Sequence, residues 1–149
     1  MFLCGSYNHQ LDDKNRIRLP SRFRDELGTK YVLLPGTNGC IYLFKDDEPQ
    51  TILKELCNME SLDPESENKL RTLLSAGRSV EADSQGRFML PDNLIAFAGI
   101  DKEILINGNI SKVEIWSAES WQRRNGNVDS TPSGIDEIYR SLNAKKSAQ

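Results

Sequence analysis

The sequence predicts a mainly β protein with short helices, built from two tandem β-β-α-β-β repeats that interleave into one closed structure. Three observations carry this expectation. The stretch Leu11-Asp12-Asp13-Lys14-Asn15-Arg16-Ile17-Arg18-Leu19-Pro20 returns as Ala82-Asp83-Ser84-Gln85-Gly86-Arg87-Phe88-Met89-Leu90-Pro91 at an offset of 71 residues, which also sets Gly28 over Gly99. Short apolar runs bounded by turn residues surround both copies. Each half alone would expose too many strand edges around too small a core, whereas 149 residues folded as one interleaved body avoid both problems.

In the first copy, Ser6–Leu11 and Arg16–Leu19 read as strands around a polar turn at Asp12–Asn15. Asn15 and its counterpart Gly86 are the residue types that most readily take the positive φ such a turn demands. Pro20 stands where a short helix starts and Gly28 where it ends, with Phe23 and Leu27 one turn apart on its inner face. Lys30–Leu34 and Cys40–Phe44 are strands around Pro35-Gly36-Thr37-Asn38-Gly39. The second copy follows suit, with Pro91, Leu94, Ala98 and Gly99 in its helix, and with strands Glu103–Ile106 and Val113–Trp116 around an Asn107-Gly108-Asn109 turn. Between the copies, Ile52, Leu53 and Leu56 form one helical stripe and Leu70, Leu73 and Leu74 another, with Asp63 as N-cap and Pro64 at the first helical position. After Arg124 a loop from Asn125 to Gly134 precedes a short amphipathic stretch with Ile135, Ile138, Tyr139 and Leu142, which either docks or frays. The expected divisions are a first repeat at 5–48, a helical connector at 49–77, a second repeat at 78–121 and a tail at 122–149.

Composition narrows the function. A hydrophobic share of 38% with 28% charged residues fits a globular chain. No apolar run approaches the roughly 20 residues of a membrane span, and the start lacks the basic and apolar regions of a secretory signal, which points to the cytoplasm. Cys4, Cys40 and Cys57 are an odd, widely spaced set, read as reduced and partly buried thiols; with His9 as the only histidine, no metal site and no cofactor is expected. His9 shares a strand face with Tyr7 and Leu11, where a packed, hydrogen-bonded imidazole is the natural reading and a catalytic base is not. No phosphate-binding glycine loop occurs, and no nucleophile–base pair suggests an enzyme.

A net charge of −3 argues at first against a nucleic-acid partner, but the charges are polarised. From Lys14 to Arg24 there are five basic residues (Lys14, Arg16, Arg18, Arg22, Arg24) and no acidic one, whereas Lys45 to Glu67 carries two basic and eight acidic residues. Turns that project Arg16 and Arg87 from rigid strands can offer a planar fork to phosphates and guanine edges, with Lys14, Asn15 and Gln85 as further donors at the turn tips. Arg18 and Arg22 extend the same basic surface. Between Ser84 and Gly99 only Arg87 is basic, so contact with nucleic acid is expected to be lopsided. Asp12 and Asp83 are assigned, with Gly86, to shaping the turn: an aspartate there accepts backbone N–H bonds and braces the returning arginine.

The two D-x-x-x-R turns, the Met-Phe-Leu start, Arg22-Phe23-Arg24, Leu74-Ser75-Ala76-Gly77 and Glu114-Ile115-Trp116-Ser117 together resemble the MraZ proteins of bacteria, members of the SpoVT-AbrB-like DNA-binding superfamily. The resemblance runs from about Met1 to Trp121. It departs at Cys4, an added residue, and at Glu48-Pro49, where the family often has an aromatic; the tail beyond Arg124 matches nothing firmly. It implies a pseudo-twofold double-split (swapped-hairpin) β-barrel and a ring-shaped homo-oligomer. It also implies a nucleoid-associated regulator binding double-stranded DNA at direct repeats in the promoter of a cell-division and cell-wall gene cluster, through Arg16 and Arg87. No small-molecule substrate and no membrane partner are expected. The alternative is an antitoxin-like or scaffold module whose tail or acidic connector binds a protein.

Overall fold

A computed structural model describes residues 1–47, 49–57 and 62–147. Glu48 at the end of the expected first repeat, residues 58–61 of the connector and 148–149 of the tail lie outside the described residues. The first copy forms β1 (Ser6–Gln10), β2 (Arg16–Arg18), α1 (Ser21–Leu27), β3 (Lys30–Pro35) and β4 (Ile41–Lys45). The connector forms α2 (Pro49–Leu56) and α3 (Pro64–Ser75), and the Asp63 carboxylate caps α3 by accepting from Ser66 N at 2.7 Å. The second copy forms β5 (Arg78–Glu81), β6 (Arg87–Met89), α4 (Asp92–Ala98), β7 (Glu103–Asn109) and β8 (Lys112–Ser117), followed by α5 (Ala118–Asn125) and α6 (Pro132–Ser147).

The protein is mainly β, with a large antiparallel sheet of six strands in the order β1-β7-β8-β4-β3-β5 and a separate two-stranded ribbon, β2-β6. Replacing each strand by its counterpart in the other copy reverses the six-strand order onto itself. The first strand of each copy has therefore left its own half: β1 pairs with β7, Ser6 opposite Asn107 and Gln10 opposite Glu103, while β5 pairs with β3. In the ribbon, Ile17 faces Phe88. These two are repeat equivalents, so the pseudo-twofold axis passes between them.

One apolar core serves both copies. Ile17, Phe23, Leu27, Tyr31 and Leu43 from the first half share it with Phe88, Leu90, Leu94, Ile106 and Ile115 from the second, all but fully buried. Tyr31 and Phe88 meet edge to face across the halves, with ring centroids 5.1 Å apart. The connector is tied to the second copy at both ends: Glu55 on α2 accepts from Lys112 Nζ at 3.0 Å and Ser111 Oγ at 2.8 Å, and Ala76 O accepts from Asn93 Nδ2 at 3.0 Å.

Three sequence expectations are corrected. The second hairpin does not turn at Asn107-Gly108-Asn109: β7 runs through these residues and the chain reverses at Ile110-Ser111, with Ile110 at φ 65°. The cause is the N-terminus, since Leu3 exchanges two backbone bonds with Ile110 at 2.8 and 2.9 Å and keeps β7 extended. Gly108 permits this approach, because a Cβ there would lie 2.7 Å from Cys4 N. His9 is half-buried, but its imidazole makes no hydrogen bond to a described residue; burial, and secondarily Arg18, lower its pKa. The amphipathic stretch of the tail is helical and does not dock on the described residues. Asp129 Oδ1 accepts from Thr131 N at 2.9 Å just before Pro132, and α6 then runs on to Ser147 with Ile135, Ile138, Tyr139 and Leu142 exposed. The sequence reading also passed over α5, whose signal was the capping serine: Ser117 Oγ accepts from Ser120 N at 3.0 Å.

Candidate nucleic-acid interface

Each repeat opens its ribbon strand with the same turn. Asp12 N donates to Arg16 O at 3.1 Å and Asn15 N to Asp12 O at 3.0 Å; in the second copy Asp83 N reaches Arg87 O at 2.8 Å and Gly86 N reaches Asp83 O at 2.9 Å. Closing so tightly requires positive φ at the third turn residue, and Asn15 and Gly86 take 57° and 80°. The aspartate then occupies the inside of the turn. Asp12 Oδ1 accepts from Lys14 N at 2.9 Å and Arg16 N at 2.8 Å, and Asp83 Oδ1 from Gln85 N and Arg87 N, both at 2.9 Å. The other carboxylate oxygen takes the arginine: Arg16 Nε at 2.8 Å on Asp12 Oδ2, and Arg87 Nε at 3.1 Å on Asp83 Oδ2.

These bonds hold both carboxyls below the usual aspartate range. For Asp12 the backbone N–H of Arg16 contributes most, and for Asp83 that of Arg87. The pairs are partly exposed, so water screens their ionic attraction and it adds little to stability. Their larger consequence is directional. Because Nε is the braced nitrogen, the two terminal nitrogens of each guanidinium are left without a hydrogen-bond partner among the described residues and remain available as a two-pronged donor.

The ribbon assembles these donors on one surface. Ile17 and Phe88 point into the core, so alternation puts Arg16, Arg18, Arg87 and Met89 on the opposite face. Arg18 stands across the ladder from Arg87, and Arg16 across from Met89. Lys14, Asn15, Gln85 and Gly86 occupy the adjoining turn tips. Arg22 is set apart on α1, where its Nη2 lies 3.9 Å from Cys4 Sγ. Among the described residues no carboxylate forms an ion pair with Lys14, Arg18, Arg22 or Arg24. The sequence reading counted Arg24 in the basic run without giving it a role; the structure places its guanidinium under the second turn, where a Cβ added to Gly86 would lie 2.9 Å from Arg24 Nη1.

Such a surface, cationic, rigidly aimed and wide enough to present three guanidinium groups, matches the polyanionic and hydrogen-bonding edges of a nucleic-acid groove. It offers little to other chemistry. Among the described residues no group of three His, Cys, Asp or Glu side chains is placed to hold a metal ion. Cys40, the most buried thiol, has its pKa pushed up to about 12 by burial and by nearby Glu114, which keeps it protonated. No helix among the described residues is long and apolar enough to cross a membrane.

Comparison with known proteins gives the same pattern of duplication and one consistent set of relatives. A family model described as "MraZ protein, putative antitoxin-like" matches the chain twice, over residues 2–72 and 73–133. A protein of Syntrophomonas wolfei called "Transcriptional regulator MraZ" is 41% identical over 142 residues, covering 95% of this chain and 96% of its own. Proteins of the same name from Clostridium beijerinckii and Lachnoclostridium phytofermentans are 41% and 38% identical, over 96% and 95% of this chain and 97% and 100% of theirs.

Proposed function

The chain belongs to the MraZ family, and on that premise we propose that it is a sequence-specific DNA-binding transcriptional regulator without enzymatic activity. The observation that carries this reading is the pair of aspartate-braced arginines, Arg16 and Arg87, presented at diagonal corners of one face of the ribbon. Arg16 and Arg87 read base edges; Lys14, Asn15, Arg18, Arg22 and Gln85 supply phosphate and flanking contacts. Asp12, Asp83 and Gly86 act on DNA only through the shape of the turns. The first repeat at 5–48 and the second at 78–121 form one DNA-facing unit, bridged by the connector.

One subunit makes few phosphate contacts, so useful affinity comes from several copies in a ring-shaped homo-oligomer engaging tandem promoter repeats at high effective concentration. The targets are the promoter of the cell-division and cell-wall cluster, including the protein's own gene, and the site of action is the cytoplasm at the nucleoid. A second reading, an antitoxin-like or scaffold module, draws support from the exposed apolar stripe of α6.

A mobility-shift titration on the protein's own upstream region, at low and raised salt, tests the first reading. Arg16→Ala and Arg87→Ala are each expected to weaken specific binding by about 1–3 kcal/mol, with circular dichroism unchanged. Wild type and variants giving the same weak, sequence-indifferent shift would overturn it. A monomer in light scattering at micromolar concentration would remove the ring.

A further inference from the structure

Arg24 is a partly buried cation that neither the turns nor the core explains. Its Nε is buried without a hydrogen-bond partner among the described residues, and Nη1 is lodged against Gly86 of the other repeat. A guanidinium held in place yet lacking an acceptor is a charge awaiting an anion. Beside it opens a crevice of about 310 Å³ between β1 and the start of α1, lined by Arg24, Arg18, His9, Asn8, Tyr7 and Ser21. Arg18 is near enough to His9 to contribute to lowering its pKa. Every polar group named here can donate a hydrogen bond, and none of the lining residues is a carboxylate.

The second repeat has no equivalent. The offset that superposes the copies puts Val80 over His9, Met89 over Arg18, Asp92 over Ser21 and Ile95 over Arg24. The turns differ to match: the first has Asn15, with a Cβ, where the second has Gly86, and only the missing Cβ leaves room for Arg24 Nη1. The first-repeat crevice is thus a construction of its own, not a by-product of the duplication.

We propose that this crevice is a phosphate-binding site, in which Arg18 and Arg24, assisted by Asn8 and Ser21, hold one phosphate group of the DNA backbone beside the ribbon. As a DNA site it rests on the regulator reading; as an anion site it stands on the crevice itself. A backbone phosphate seated there fixes the first repeat on the duplex and leaves base reading to Arg16 and Arg87.

Two measurements test it. Fluorescence anisotropy with target and scrambled duplexes over a range of potassium chloride gives the slope of log affinity against log salt. Arg24→Gln and Arg18→Gln should each reduce that slope by about 0.9 and weaken both duplexes equally. Arg18 is exposed on its strand, so its variant carries the test if Arg24→Gln melts early. In the second measurement, inorganic phosphate is titrated into the DNA-free protein and the arginine Nε resonances are followed. A saturable shift at Arg24 and Arg18, absent in Arg24→Gln, is expected. Saturation with unchanged salt slopes would keep the phosphate site and make free phosphate its occupant. No saturable shift and unchanged slopes in folded variants would overturn the proposal. A wild type that ignores DNA but saturates with phosphate would remove the regulator reading and leave this site standing.

Discussion

The two Asp–Arg turns agree to within 0.3 Å in every hydrogen bond that shapes them, yet their surroundings have diverged in chemistry. The first repeat carries Lys14, Arg18, Arg22 and Arg24 where the second carries Gln85, Met89, Asn93 and Ile95, although Arg18 and Arg24 both reach across to the second turn at Gly86. Geometry and charge are therefore separable properties of this surface. The brace uses an aspartate, a residue tolerant of positive φ and an arginine four places on, and it forms alike in both electrostatic settings. The setting decides how strongly each half is drawn to a polyanion.

The largest expected effect breaks the electrostatic side of this contrast. Replacing Lys14, Arg18 and Arg22 together by glutamine should leave both turns intact and cost roughly 100-fold in DNA affinity at physiological salt, from about three lost phosphate contacts. The check is an anisotropy titration beside circular dichroism; a loss below tenfold would mean that the two halves contribute alike. A smaller effect sharpens the geometric side. Gly86→Ala puts a Cβ at positive φ and against Arg24, so it should destabilise by about 1–2 kcal/mol, or roughly 2–8 °C in Tm. Asn15→Gly, at the matching place, should shift Tm by no more than about 1 °C.

The smallest effect concerns acid. Asp12 and Asp83 both have folded pKa values below the ordinary one. Each therefore adds stability that is fully present above the ordinary aspartate pKa of about 3.9 and is lost as pH falls through the lower folded value. Carboxyl chemical shifts should show the two aspartates titrating in the same window, below the ordinary aspartate range. Widely separated titrations would mean that the turns are less alike than their bond lengths.

Much of this contrast was legible in the sequence because it is local. A turn of five residues, its positive φ, the α3 cap at Asp63 and the helix limits at Pro20 and Gly28 depend on neighbours within a few positions. The fold class was legible through the repeat. What escaped depends on distant partners: the reversal at Ile110 is dictated by Leu3, the isolation of His9 by what α1 leaves uncovered, and the position of Arg24 by the absence of a side chain on Gly86. The tail differs from expectation because its helix has a local start at Asp129–Pro132 while its apolar stripe stays exposed among the described residues.

The exchange of first strands bears on how the chain comes off the ribosome. β5 finds β3 already made, but β1 must wait for β7, whose pairing residues begin at Glu103. At about 5–20 residues per second, translation leaves β1 without its partner for roughly 5–20 seconds. During that interval the first half has its helix and its own hairpin, but the wall that closes over Phe23 and Tyr31 has not been synthesised. The nascent protein is thus at its most adhesive in mid-synthesis, and becomes self-contained only when its second copy arrives.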